Sequence, residues 1–195
     1  MRAKGRAHPA IRTPLALICH PRFPSVAVGR VEVDVRRSSR ILALSFTIAG
    51  DLTRVRLPSA GPTRMGTQLW EHTCCEAFIA VDGRNAYHEF NFAPSGEWAA
   101  FAFTGYRDGA PLNDVTLAPQ IALRTTTARL QLEASVRLES LSPDHVQMPL
   151  WLGLAAVVEA NDGTLSYWSA WHPAERPDFH RAEARIVRLE PPDDE

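Results

Sequence analysis

The groups in this chain that could do chemistry gather in two segments. The first, Leu69 to Tyr106, reads LWEHTCCEAFIAVDGRNAYHEFNFAPSGEWAAFAFTGY. Within it, Ala86 to Phe92 alternates. As a strand it puts Ala86, His88, Phe90 and Phe92 on one face and Tyr87, Glu89 and Asn91 on the other. Ring, carboxylate and amide spaced two apart suit a hydroxyl-rich ligand, because the oxygens accept from hydroxyls while the ring stacks on C–H surfaces. The same row also reads as the wet face of an antiparallel sheet with ordinary cross-strand pairs. Glu76, on the preceding run, adds a second carboxylate. A hydrolytic reading on the pattern of glycosidases needs Glu76 and Glu89 to converge on one cleft.

The second segment, Tyr167 to His180, reads YWSAWHPAERPDFH and forms a proline-stiffened loop after a strand. Its His172 and His180 match no standard zinc spacing, and the cysteines lie elsewhere, so neither a metal nor a cofactor is expected. Asp178 could orient either imidazole or close an Asx turn. Of the five tryptophans, Trp151 lies in an apolar run and reads as core, and Trp98 fits either role. Trp70, Trp168 and Trp171 border loops, where a ring can serve as an exposed stacking platform. Glycine-rich phosphate loops and GxSxG elbows are absent from the sequence.

The elements that must position these groups read as strands. Arg129 to Leu138 alternates strictly, with Leu130, Leu132, Ala134, Val136 and Leu138 on one face. Val26 to Val35 alternates loosely, and Ile41 to Ile48 places Leu42, Leu44, Phe46 and Ile48 together. Cys75 to Val81, Ala86 to Phe92 and Trp98 to Phe103 read as a meander, with turns at Val81 to Arg84 and Ala93 to Gly96. Ile121 to Thr127, Leu150 to Glu159, Leu165 to Trp168 and Ala184 to Leu189 complete the set, and Glu139 to Val146 suggests one helical turn, capped by Ser142 with Pro143 first. Many short strands without βαβ alternation imply an all-β antiparallel sandwich.

Composition sets the outer limits. At 195 residues the chain fits one domain, with a core that needs no disulfide or metal staple. A net charge of -1 argues against a generic nucleic-acid partner, and no apolar run approaches a membrane span of roughly 20 residues. Charge is uneven: residues 1–40 hold nine Arg and Lys against Glu32 and Asp34, and the sequence ends Asp193-Asp194-Glu195. The expected organisation is a basic arm over 1–14, a single domain over 15–190 and an acidic tail over 191–195. Cys74 and Cys75 would point to opposite faces, so with Cys19 they make no disulfide framework. The stretch Leu15 to Cys19 is too short for a signal peptide, and the expected location is cytoplasmic.

Together, WEHTCCEAFI, YHEFNFAPSGEWAAFAFTGYRDG and SYWSAWHPAERPDFH resemble the DOMON-like domains of bacterial proteins, relatives of the family 9 carbohydrate-binding modules. The resemblance rests on Glu76, on the Tyr87-x-Glu89-Phe90 strand and on the turn with Asn91, Pro94 and Gly96. It implies a jelly-roll or immunoglobulin-like β-sandwich that binds a small polar ligand such as a carbohydrate, without chemistry. In its sugar-binding members two aromatic rings clamp the sugar, which points to Trp70 and Trp171, with Glu76, Glu89, Asn91 and Asp178 as polar contacts. Tyr87, His72, His172 and His180 complete the candidate ligand-binding set. Haem-binding members use a Met and a His, which would draw on Met65 or Met148 with His72, His145, His172 or His180. A third reading is a protein-interaction module using sheet and loop aromatics. A concave site holding Trp70 and the 172–180 loop separates a ligand from an interface, and no oligomeric state follows from the sequence.

Overall fold

A computed structural model of the chain describes residues 14–192. Most of the basic arm (1–13) and the last three residues of the acidic tail lie outside them. The strands are β1 (Leu15–Cys19), β2 (Val28–Arg37), β3 (Ile41–Gly50), β4 (Arg64–Met65), β5 (Cys74–Val81), β6 (Tyr87–Phe92), β7 (Glu97–Gly105), β8 (Asp108–Pro111), β9 (Gln120–Thr125), β10 (Arg129–Arg137), β11 (Leu150–Glu159), β12 (Leu165–Ser169) and β13 (Arg185–Leu189). The one α-helix among the described residues, α1 (Pro143–Gln147), starts with Pro143 after Ser142, as the sequence indicates. The Ser142 hydroxyl bonds Nδ1 of His145 (2.8 Å) and caps no backbone amide. None of the described helices is long and apolar enough to cross a membrane.

The strands join in the order β4-β7-β6-β5-β11-β12-β1-β2-β3-β10-β9, with β8 added on β7 and β13 on β11. Short β1 is the seam. Its Leu15 to Leu17 pair with β2, and its Ile18 and Cys19 pair with β12, so one half of the sheet turns over the other. Every pairing between these strands is antiparallel except β4 with β7.

Alternation decides what lies between the two halves. Leu42, Leu44, Phe46 and Ile48 of β3 and Leu130, Leu132, Ala134 and Val136 of β10 meet Ala77 and Ile79 of β5, Phe90 and Phe92 of β6, and Leu152 and Leu154 of β11 in one buried cluster. Each large side chain buried there contributes about 1.5–3 kcal/mol. Cys75 joins this core and Cys74 the opposite face; all three thiols are free.

Turn chemistry fixes the meander. Gly96 has φ 89°, a left-handed conformation, and a Cβ there would lie 2.7 Å from the Gly61 carbonyl oxygen, so both backbone and space require glycine. The turn brings β6 and β7 into register with Phe92 opposite Trp98. Trp98, 1% exposed, is core.

Two tryptophans depart from expectation. Trp151 points away from the main core, because it alternates with the core residues Leu150 and Leu152; its indole N–H donates to Asp82 (2.8 Å) on the outer face. Trp168 is no exposed platform: it is 5% exposed, packed in the core, with its N–H on the Ser166 hydroxyl (3.1 Å).

Candidate functional site

Register on the outer face of β5 and β6 creates the floor of a cleft. Glu76 lies opposite Asn91, and Phe78 opposite Glu89, so the two glutamates are diagonal neighbours on one face. Ala155 of β11 sits opposite Glu76, a small residue that leaves room above the carboxyl. The polar row that could have been a wet face is buried: Tyr87, Glu89 and Asn91 all lie under covering segments.

Three segments rise around this floor. The turn Leu69–Glu71 is pinned by Leu69, packed against Cys74, Ala93 and Ala99, and it holds Trp70 edge-on to Phe101 at 5.7 Å. The β7–β8 hairpin turns at Arg107, whose φ of 56° is unusual for a residue with a side chain. Arg107 donates its backbone N–H to the Tyr87 hydroxyl (3.3 Å) and a guanidinium N–H to Asp178 Oδ1 (3.1 Å). The loop after β12 places Phe179 and His180 against the sheet, with Phe179 packed on Phe78, Tyr87 and Val157. The open cleft they form has a volume of about 560 Å³, within the range of small-molecule sites.

Trp70, Glu76, Glu89 and His180 line the cleft, together with Phe101, Phe103, Arg107 and Tyr167. Tyr87 and Asn91 support it from beneath. The Tyr87 hydroxyl lies 2.8 Å from Nδ1 of His180, and Asn91 donates to Glu89 Oε1 (2.8 Å). Asp178 makes the Asx turn to the His180 N–H (3.2 Å) and also accepts from Tyr106 (2.5 Å) and Arg107, tying loop to hairpin.

Three candidates stand elsewhere. His72 bonds Glu159 (2.7 Å), which Arg56 also holds (2.9 Å). His172 is tied through Nε2 to the Ile18 carbonyl (2.8 Å) and packs edge-on against His20 at 4.9 Å, at the root of the loop. Trp171, beside it, is not among the lining residues, so the expected Trp70–Trp171 clamp is not assembled; Phe101, Phe103, Tyr167 and Phe179 supply the facing rings instead. Neither Met65 nor Met148 lines the cleft beside His180.

Electrostatics follow from burial. Desolvation, then the neighbouring Glu89, push the Glu76 carboxyl well above the usual carboxylate range, with Arg107 opposing. Burial also raises Glu89, against the Asn91 hydrogen bond and Arg107. Burial, with Arg107 nearby, lowers His180 to about 4, so its imidazole is neutral at pH 7. Burial would raise Asp178, but Tyr106 and Arg107 outweigh it and keep the carboxylate ionised. The Tyr87 hydroxyl shares a hydrogen bond with Nδ1 of His180, which leaves Nε2 facing Glu89 Oε2 at 3.7 Å. The floor thus offers hydroxyl-binding oxygens and the walls offer ring faces.

Sequence alternation carried a signal for Phe101 and Phe103, which project from β7 on the same face as Glu89. Arg107 had none, because a positive φ at a hairpin tip leaves no mark in side-chain pattern.

No family model matches the chain, and no curated protein matches it by sequence. Solved structures do match in fold. A proposed carbohydrate-binding protein from Bacteroides uniformis superposes with a TM-score of 0.64 at 15% identity, covering 91% of this chain and 84% of the other. A family 9 carbohydrate-binding module from Caldicellulosiruptor kristjanssonii, in complex with cellotriose, gives 0.52 at 7% identity, covering 89% and 82%. At these identities the likeness is one of fold.

Proposed function

We propose that this chain is a non-catalytic, DOMON-like binding module that holds a small carbohydrate in the cleft over β5 and β6. The observation that carries the reading is the pairing of ring-lined walls (Trp70, Phe101, Phe103, Tyr167, Phe179) with a floor of buried carboxyls. A sugar has the matching duality, apolar C–H faces and a rim of hydroxyls. The cellotriose bound in one solved structure of the same fold supports it, as does the sequence resemblance to DOMON-like domains, which also favours a jelly-roll arrangement of the sandwich. Calorimetric titration with glucose and cellobiose tests it: saturable binding that weakens in Trp70→Ala is expected, and the absence of heat with any sugar would count against it.

One observation favours a hydrolytic reading: Glu76 and Glu89 line the same cleft. They project side by side from neighbouring strands, however, whereas the carboxyls of glycosidases flank the scissile bond from different sides. Binding without cleavage is the better account.

A further inference from the structure

The charge balance of the cleft names the ligand class more closely. Glu76 is 3% exposed and opens onto the cleft, yet no hydrogen bond or ion pair from the described residues reaches its carboxyl. Glu89 uses one oxygen for Asn91 and faces His180 with the other. His180 brings no positive charge at neutral pH. Arg107, the cation of the lining, is engaged by Asp178. Among the described residues, then, neither buried carboxyl has a directly paired cation; Arg107 acts on both only at a distance.

In the empty cleft Glu76 avoids the cost of an unpartnered buried charge by keeping its proton; a neutral sugar gives such carboxyls hydroxyl donors but no counter-charge with which to ionise. An ammonium supplies both, through short charge-assisted hydrogen bonds. The rings around it add to the preference, since the faces of Trp70, Phe101 and Tyr167 attract a cation held within about 6 Å. We infer that the ligand of this cleft carries a protonated amine beside its hydroxyls, as an amino sugar does, with the ammonium seated on Glu76 and Glu89. This rests on the carbohydrate reading and deepens it.

The experiment compares glucosamine, galactosamine and mannosamine with glucose, galactose and mannose by calorimetry at neutral pH, on wild type and on Glu76→Gln. At least one hexosamine should bind roughly tenfold or more tightly than its neutral parent. In Glu76→Gln that ratio should fall towards one, with the melting transition confirming a folded protein. If Glu76→Gln does not fold, Glu89→Gln carries the same comparison. Neutral hexoses binding as tightly as their amines would overturn the amine inference and leave the carbohydrate reading standing. Binding of neither series would overturn both.

Discussion

The Tyr87 hydroxyl and Nδ1 of His180 are 2.8 Å apart, and this contact fastens the loop after β12 to the floor of the cleft. The same hydroxyl accepts the Arg107 backbone N–H, so one buried phenol organises both the loop and the hairpin that wall the site.

Tyr87→Phe should therefore loosen the site while sparing the core. The ring remains stacked on Phe103 at 4.7 Å, but a half-buried imidazole and a backbone amide lose their partner. We expect a loss of about 1–2 kcal/mol in denaturant unfolding, with a larger proportional fall in ligand affinity because two walls move together.

Glu76→Gln should stabilise the empty protein at neutral pH. The Glu76 carboxyl is raised above its ordinary value of 4.5 in the folded state by burial and by Glu89. The folded chain then holds a proton more tightly than the unfolded one. Stability is fully present below 4.5 and is lost as pH rises towards the folded value. Glutamine mimics the protonated acid at every pH, so the gap between variant and wild type should open above pH 4.5 and close below it. Parallel denaturation series across pH measure this.

His145 should give the opposite sign. Burial and the adjoining His88, whose ring centre is 5.0 Å away, lower it from 6.5 to about 4. Here the unfolded chain takes up the proton more readily, so stability falls as pH drops from 6.5 to about 4. A folded His145→Asn variant lacks that titration. Wild type should lose stability relative to it across this window, and equal slopes would refute the assignment.

Trp70→Ala and Trp171→Ala should part company. Trp70 is 40% exposed on the rim of the cleft, so its removal should weaken sugar binding about tenfold or more with little effect on unfolding. Trp171 stands outside the lining, so its removal should leave affinity unchanged. Titration of both variants against one sugar checks this.

Much of the scaffold was legible because alternation is a local signal. The buried row of β10 and the inner face of β3 follow from counting residues by twos, and the β5-β6-β7 meander follows from its turns. Seams were not legible: Leu15–Cys19 looks like an unremarkable apolar stretch, yet it joins the two halves by pairing with a different strand at each end. The site was half legible for the same reason. Glu76, Glu89 and Asn91 share a face by register, whereas the burial of that face depends on Phe179, His180 and Arg107 arriving from segments distant in sequence. Trp171 shows the converse: a loop position suggests exposure but cannot say which side of the loop faces the ligand.

The most direct test of the account is a crystal structure of the protein soaked with a mixed library of sugars and amino sugars. The account predicts a single sugar lying against Trp70 and Phe179, with its polar groups on Glu76 and Glu89. A sugar bound on another surface, with this cleft unchanged, would contradict it.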